Sequence, residues 1–151
     1  MAARAGAFLL SGGMSGALPT RLADLARGDL AWLRAFLSGQ GTHGASLAAQ
    51  LDARHDTEKQ DTLLTWAARH GQAEAVRLLL EAGADVGAAD VDDASALLLA
   101  CAGGYLEIVR LLLEHDAVDI HWKRPHNGAT PVFVAAHNGH AEVVRLLAEL
   151  G

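Results

Sequence analysis

Aromatic side chains are scarce in this chain. Phe, Trp and Tyr make up 5% of its 151 residues, although apolar residues as a whole reach 51%. A core drawn from such a set is aliphatic, built of Leu, Ala and Val, which favours packed helices over the β-branched and aromatic strands of a sandwich. Cysteine is almost absent: Cys101 stands alone. That excludes an intramolecular disulfide framework and suits a reducing compartment, so an intracellular setting, cytoplasmic or nuclear, is expected. Basic charge is short as well, with 12 Lys and Arg against 18 Asp and Glu and a formal charge of -6. Neutralising phosphates takes a concentrated basic surface, so this balance argues against a nucleic-acid partner. No run approaches the roughly 20 apolar residues that span a bilayer, and no membrane partner is expected. The length suits one compact domain or one short repeat array.

The beginning of the chain carries little pattern. Residues 1–19 combine a short Ala-Phe-Leu-Leu patch with Gly12, Gly13 and Gly16, and a flexible leader is expected there rather than a signal or transit peptide. A helix pair then follows. Leu22, Leu25 and Ala26 share one face, Gly28 breaks the helix, and Leu30, Leu33, Phe36 and Leu37 form an amphipathic stripe. The stretch from Leu37 to Thr62 is longer than its counterpart from Leu80 to Ser95. The excess is Gly- and Ser-rich and reads as an inserted loop.

What the chain does contain is self-similarity. Asp61–Leu80 (DTLLTWAARHGQAEAVRLLL), Ala94–Leu113 (ASALLLACAGGYLEIVRLLL) and Asn127–Leu147 (NGATPVFVAAHNGHAEVVRLL) copy one plan: a Thr or Ser opening, a short helix, a glycine break and an amphipathic second helix. The step from Thr62 to Ser95 equals that from Gly71 to Gly104, while the step from Ser95 to Thr130 is slightly longer. A period of about 33 residues with two helices and a turn marks a stacked array in which each unit is stabilised mainly by its neighbours.

These units resemble ankyrin repeats. The resemblance rests on Thr130-Pro131 and Ala135-Ala136 in the opening helix, Gly139-His140 at the break, Glu142-Val143-Val144 and Leu146-Leu147 in the second helix, and Gly83-Ala84-Asp85-Val86 leading to the hairpin. It covers roughly Leu22 to Gly151. Two units depart from it, with Leu63 and Ala96 where the family has Pro. Thr65, Leu98 and Phe133 replace its usual His. The resemblance implies an all-α solenoid of stacked helix-turn-helix units with hairpin loops. The expected division is a capping unit at 20–53 with an inserted loop at 38–50, repeats at 54–89 and 90–123, and an incomplete final repeat at 124–151. The final unit shows no polar cap, so a further stretch of array or a partner is expected to cover that end.

Candidate chemistry is thin. His115, His121, His126, His137 and His140 invite a metal reading, but no Cys pair or carboxylate cluster completes a tetrahedral set, and structural or solvated histidines are expected. Cys101 takes the place of Ala68 and Ala136 in a packed helix, which predicts a buried, inert thiol. Asp90-Val91-Asp92-Asp93 lacks the alternating ligands and closing Glu of a calcium loop and reads as a solvated hairpin tip. No phosphate-cradling loop or nucleophile elbow is present, so neither an enzyme nor a cofactor is expected.

The resemblance implies instead a partner protein or peptide, held by hairpin fingers and a palm of first helices. Matching positions give finger residues Glu58, Lys59 and Asp61; Val91, Asp92 and Ala94; and His126, Asn127 and Ala129. The palm residues are Arg69 and His70, Ala102 and Gly103, and His137 and Asn138, with Arg54, Ala89 and Lys123 on the hairpin edge. Trp122 beside Lys123 has the composition of a binding anchor, and equally that of a side chain covering the base of its own hairpin. The function expected is a non-catalytic interaction scaffold, or else an adaptor module of a larger enzyme or ligase.

Overall fold

Thr62, Ser95 and Thr130 start the helices that organise this molecule. In the computed structural model each hydroxyl accepts the backbone N–H three residues on, from Thr65 (3.2 Å), Leu98 (3.3 Å) and Phe133 (3.2 Å). Such a cap satisfies one of the N–H groups that a first turn leaves without an intrahelical partner. The structure describes residues 25–38 and 60–151. The expected leader, the inserted loop beyond Ser38, and Arg54, Glu58 and Lys59 lie outside the described residues.

Seven helices are defined among the described residues: α1 (Ala31–Leu37), α2 (Leu63–Arg69), α3 (Ala73–Glu81), α4 (Ala96–Gly103), α5 (Leu106–Leu113), α6 (Pro131–His137) and α7 (Ala141–Leu150). Helices α2, α4 and α6 pack side by side as one layer, and α3, α5 and α7 form a second layer behind them. The all-α solenoid expected from the sequence is the fold observed. An isolated antiparallel bridge, Ala89 to Ser95, marks the hairpin between the second and third units.

Each helix pair turns on its glycine. Gly71, Gly104 and Gly139 have φ of 71°, 71° and 80°, the left-handed region that a residue without a Cβ enters at little cost. A tight turn centred on the next residue follows, closed by a backbone N–H to C=O bond from Ala73 to Gly71 (3.2 Å) and from Leu106 to Gly104 (3.0 Å). The core lies between the layers. Leu64, Ala67 and Ala68 of α2 are buried with Val76 and Leu79 of α3, and Leu98, Ala100 and Cys101 of α4 with Ile108, Val109 and Leu112 of α5. The alanines let neighbouring first helices come close, while the leucines and valines of the second helices fill the space.

Units are also stitched to one another. The Tyr105 ring lies over Gly71, and the His140 ring lies over Gly104. His140 Nε2 contacts the Ala102 carbonyl at 3.0 Å, the structural hydrogen bond expected of it. Gln72 Nε2 donates to the Ala26 carbonyl at 3.0 Å, joining the first unit to the second from the same place in the sequence plan.

Candidate protein-interaction face

Arg69 closes the first helix of the second unit and reaches two carboxylates. Its Nη2 donates to Asp61 Oδ1 at 2.9 Å and to Asp90 Oδ2. Burial by itself would lower the Arg69 pKa, but the hydrogen bonds and charges of Asp61 and Asp90 outweigh it and raise the pKa. Asp90 Oδ1 accepts from the backbone N–H groups of Asp92 (2.8 Å) and Ala94 (2.9 Å), which shapes the hairpin. This brace corrects the reading of Asp90 as part of a solvated tip. Asp90 is 3% exposed because its carboxylate turns inward to the guanidinium and the loop N–H groups, whereas Val91 and Asp93 remain outside. Asp61, at 2% exposure, and Ala94, at 0%, also have almost no surface to offer.

The remaining palm positions divide in the same way. His70 is exposed, stacks on Trp66 with ring centroids 4.0 Å apart, and holds the Trp66 carbonyl through Nδ1 at 2.9 Å. His137 is exposed and stacks on Phe133 at 6.0 Å. Between them Ala102 is half-buried and Gly103 exposed. Asn138 Nδ2 donates to the Ala102 carbonyl at 2.9 Å, tying two neighbouring palm positions together. Two stacked ring pairs therefore flank a floor of small residues.

Along the fingers, Val91 is 48% exposed and Asp92 half-buried. Lys123, His126 and Asn127 are exposed. His126 Nδ1 comes within 4.0 Å of Asp93 Oδ2 on the preceding hairpin. Asn127 Oδ1 accepts from the Ala129 N–H at 3.1 Å, repeating in the third loop what Asp90 does in the second. Trp122 is half-buried against the core and lines a groove of about 250 Å³ with Val86, Ala89, Leu97 and Val118. Both roles that its composition allows, a binding anchor and a cover for the base of its hairpin, are compatible with this place.

Cys101 is fully buried, and burial pushes its thiol up to about 12 from the ordinary 9.0, so the expected inert thiol is found. Among the described residues no group of three His, Cys, Asp or Glu converges as a metal site, and His121, His126 and His137 do not come together. No described helix is long and apolar enough to cross a membrane.

The family profile described as ankyrin repeats (3 copies) matches residues 64–151. The chain belongs to the ankyrin repeat family. Ankyrin repeats are generally non-catalytic protein–protein interaction modules, and the two layers and turned-out hairpins here have that form. The chain is 38% identical over 100 residues to the ankyrin repeat and KH domain-containing protein mask-1 of Caenorhabditis elegans, a match over 66% of this chain and 4% of that protein. It is 36% identical over 116 residues to Protein PhlB of Serratia liquefaciens, over 76% of this chain and 50% of PhlB. It is 36% identical over 84 residues to the probable E3 ubiquitin-protein ligase XBOS32 of Oryza sativa, over 56% of this chain and 17% of XBOS32. The chain thus spans half or less of the length of these relatives.

Proposed function

We propose that this ankyrin array is a non-catalytic scaffold that docks a protein or peptide partner on its concave face, across the hairpin fingers and the palm ends of α2, α4 and α6. The observation that carries the reading is the division of labour just described. Asp61 and Asp90 pair with Arg69 inside the frame, while His70, Val91, Lys123, His137 and Asn138 keep surface free for a partner. A frame set in this way loses little order on binding. The low floor at Ala102 and Gly103, between the His70 and His137 ring stacks, fits an extended peptide or one face of a helix.

Arg69 braces Asp61 and Asp90 and Trp122 packs partly on the core, so replacing either would perturb the fold as well as the surface. The test is a triple variant, Val91→Asp, Lys123→Glu and His137→Glu, with Arg110→Glu on the second-helix layer as the control. Affinity capture followed by mass spectrometry should show specific partners depleted about tenfold or more by the triple variant, the effect of roughly 1.4 kcal/mol of lost binding. The control should retain them, and circular dichroism should show both variants folded. Equal capture by the triple variant would remove the concave face from consideration.

A second reading is favoured by the match to plant ubiquitin ligases, which involves only 17% of XBOS32 and 16% of the E3 ubiquitin-protein ligase XBAT33 of Arabidopsis thaliana. Here the array is the targeting module of a larger enzyme or ligase adaptor whose active part lies elsewhere. Immunoblotting cell extract with an antibody raised against this array separates the two. A band only at 15.8 kDa counts against the adaptor reading.

A further inference from the structure

The second and third hairpins close in the same way. The Asp90 N–H bonds to the Ala94 carbonyl at 3.1 Å, just before the cap Ser95. The Arg124 N–H bonds to the Ala129 carbonyl at 3.0 Å, just before the cap Thr130. Asp93 and Gly128, which precede those two alanines, both have positive φ, 55° and 67°. Arg124 therefore stands where the second hairpin has Asp90, in a slightly longer loop.

The reversal of charge at this place changes the junction. At the second hairpin, Arg69 carries the carboxylates of Asp61 and Asp90. At the third, Ala102 and Ala94 take the places of Arg69 and Asp61. The loop N–H that Asp90 holds passes to Asn127. No acid is left for Arg124. Its side chain is half-buried, its Nε is enclosed without an acceptor, and no carboxylate among the described residues pairs with its guanidinium. Arg69 Nε is enclosed in the same way, but its Nη2 meets two carboxylates.

A charge drawn partly out of water is ordinarily paired, because desolvation without a counterion is costly. The neighbourhood sharpens the contrast. Lys123 is exposed and also makes no ion pair among the described residues. Asp93 of the preceding finger lies within 4.0 Å of His126. Although the chain carries a formal charge of -6, no Asp or Glu stands between Asp119 and Glu142, so Lys123, Arg124 and His126 make the third finger basic.

We propose that Arg124 anchors a carboxylate side chain of the partner, which enters between the second and third hairpins and does there what Asp61 and Asp90 do for Arg69. The assignment rests on the concave-face reading and gives that partner a chemistry: an acidic peptide whose Asp or Glu meets the guanidinium fork with both oxygens. One guanidinium beside one lysine suits the single charge of a carboxylate.

The test is selection of a phage-displayed library of random dodecapeptides on the full chain. The wild type should enrich peptides with Asp or Glu at one fixed place. A synthetic peptide of the enriched sequence should bind Arg124→Gln about tenfold or more weakly. Selection on Arg124→Glu should enrich Lys or Arg at that place instead. Because Arg124→Gln loses no internal partner, its Tm should stay within about 3 °C of the wild type. A much larger fall would reveal a guanidinium already paired inside the chain and overturn the proposal. Enriched peptides that have no acidic place, or that bind Arg124→Gln equally well, overturn it too; their loss in the triple variant of Val91, Lys123 and His137 would still leave the concave face standing. Peptides indifferent to that triple variant, or a library that enriches nothing, remove both readings. A phosphoserine peptide held through Arg124 more tightly than its Asp counterpart would make the partner a phosphopeptide and overturn the carboxylate assignment.

Discussion

Asp90 ties the second hairpin to the helix layer through one carboxylate, which accepts from two loop N–H groups and from Arg69. Replacing it with Ala leaves those donors without their acceptor and strands the Arg69 charge beside Asp61 alone. Breaking a buried pair from one side generally costs several kcal/mol. Asp90→Ala should therefore lower the free energy of unfolding by about 3 kcal/mol, read from urea denaturation. The Cys101 thiol gives a second expectation at this scale. Its pKa is raised to about 12 in the folded protein from an ordinary 9.0, so between these values the unfolded chain loses a proton that the folded chain keeps. This contribution to stability is complete below pH 9.0 and is lost as pH rises towards about 12. At pH 8 a thiol reagent should label Cys101 only as fast as the protein opens; rapid labelling of the folded chain would contradict its burial. The buried thiol was legible from repeat alignment alone, because Ala68 and Ala136 at the matching positions mark a place for a small side chain in the first helix. The Arg69 brace was not, because Asp61 and Asp90 lie 8 and 21 residues away and only the stacked hairpins bring them to one guanidinium.

At the scale of elements, the helix starts follow directly from local chemistry. Ser95→Ala removes the cap of α4 and should cost about 1 kcal/mol, measured in the same denaturation series. Tyr105 acts between elements. Its ring fills the space over Gly71 and against Gly103, so Tyr105→Ala opens a void where the second and third units meet. The expected loss is about 3 kcal/mol, with a broader transition as the units uncouple. An unchanged, sharp transition would show that α2 and α4 suffice to hold the units together. The glycine breaks could be read from spacing. The rings seated on them could not, because Gln72, Tyr105 and His140 differ in chemistry while serving the same inter-unit position.

For the molecule as a whole, protection depends on neighbours. Helix α4 packs between α2 and α6, whereas among the described helices of its layer α6 packs on α4 alone. Hydrogen exchange should therefore be slowest in α4 and should proceed earlier from α7 and the outer face of α6. Uniform protection across all units would indicate that the array opens as one body. The charged ladder of the second helices, Arg34 to Glu74 and Arg77 to Glu107, is solvent-exposed, so added salt should change stability little.

The chain by itself determined its helices, breaks and stacking, because these depend on local signals repeated in every unit: a hydroxyl cap, a small-residue helix, a glycine, an apolar stripe. The same positions also outlined which loops face outward. Only the tertiary structure decided which of those residues keep their surface. Asp61, Asp90 and Ala94 turn inward while Val91, Lys123 and His137 do not, because that choice depends on partners from other units, whose distance along the chain no periodic pattern encodes.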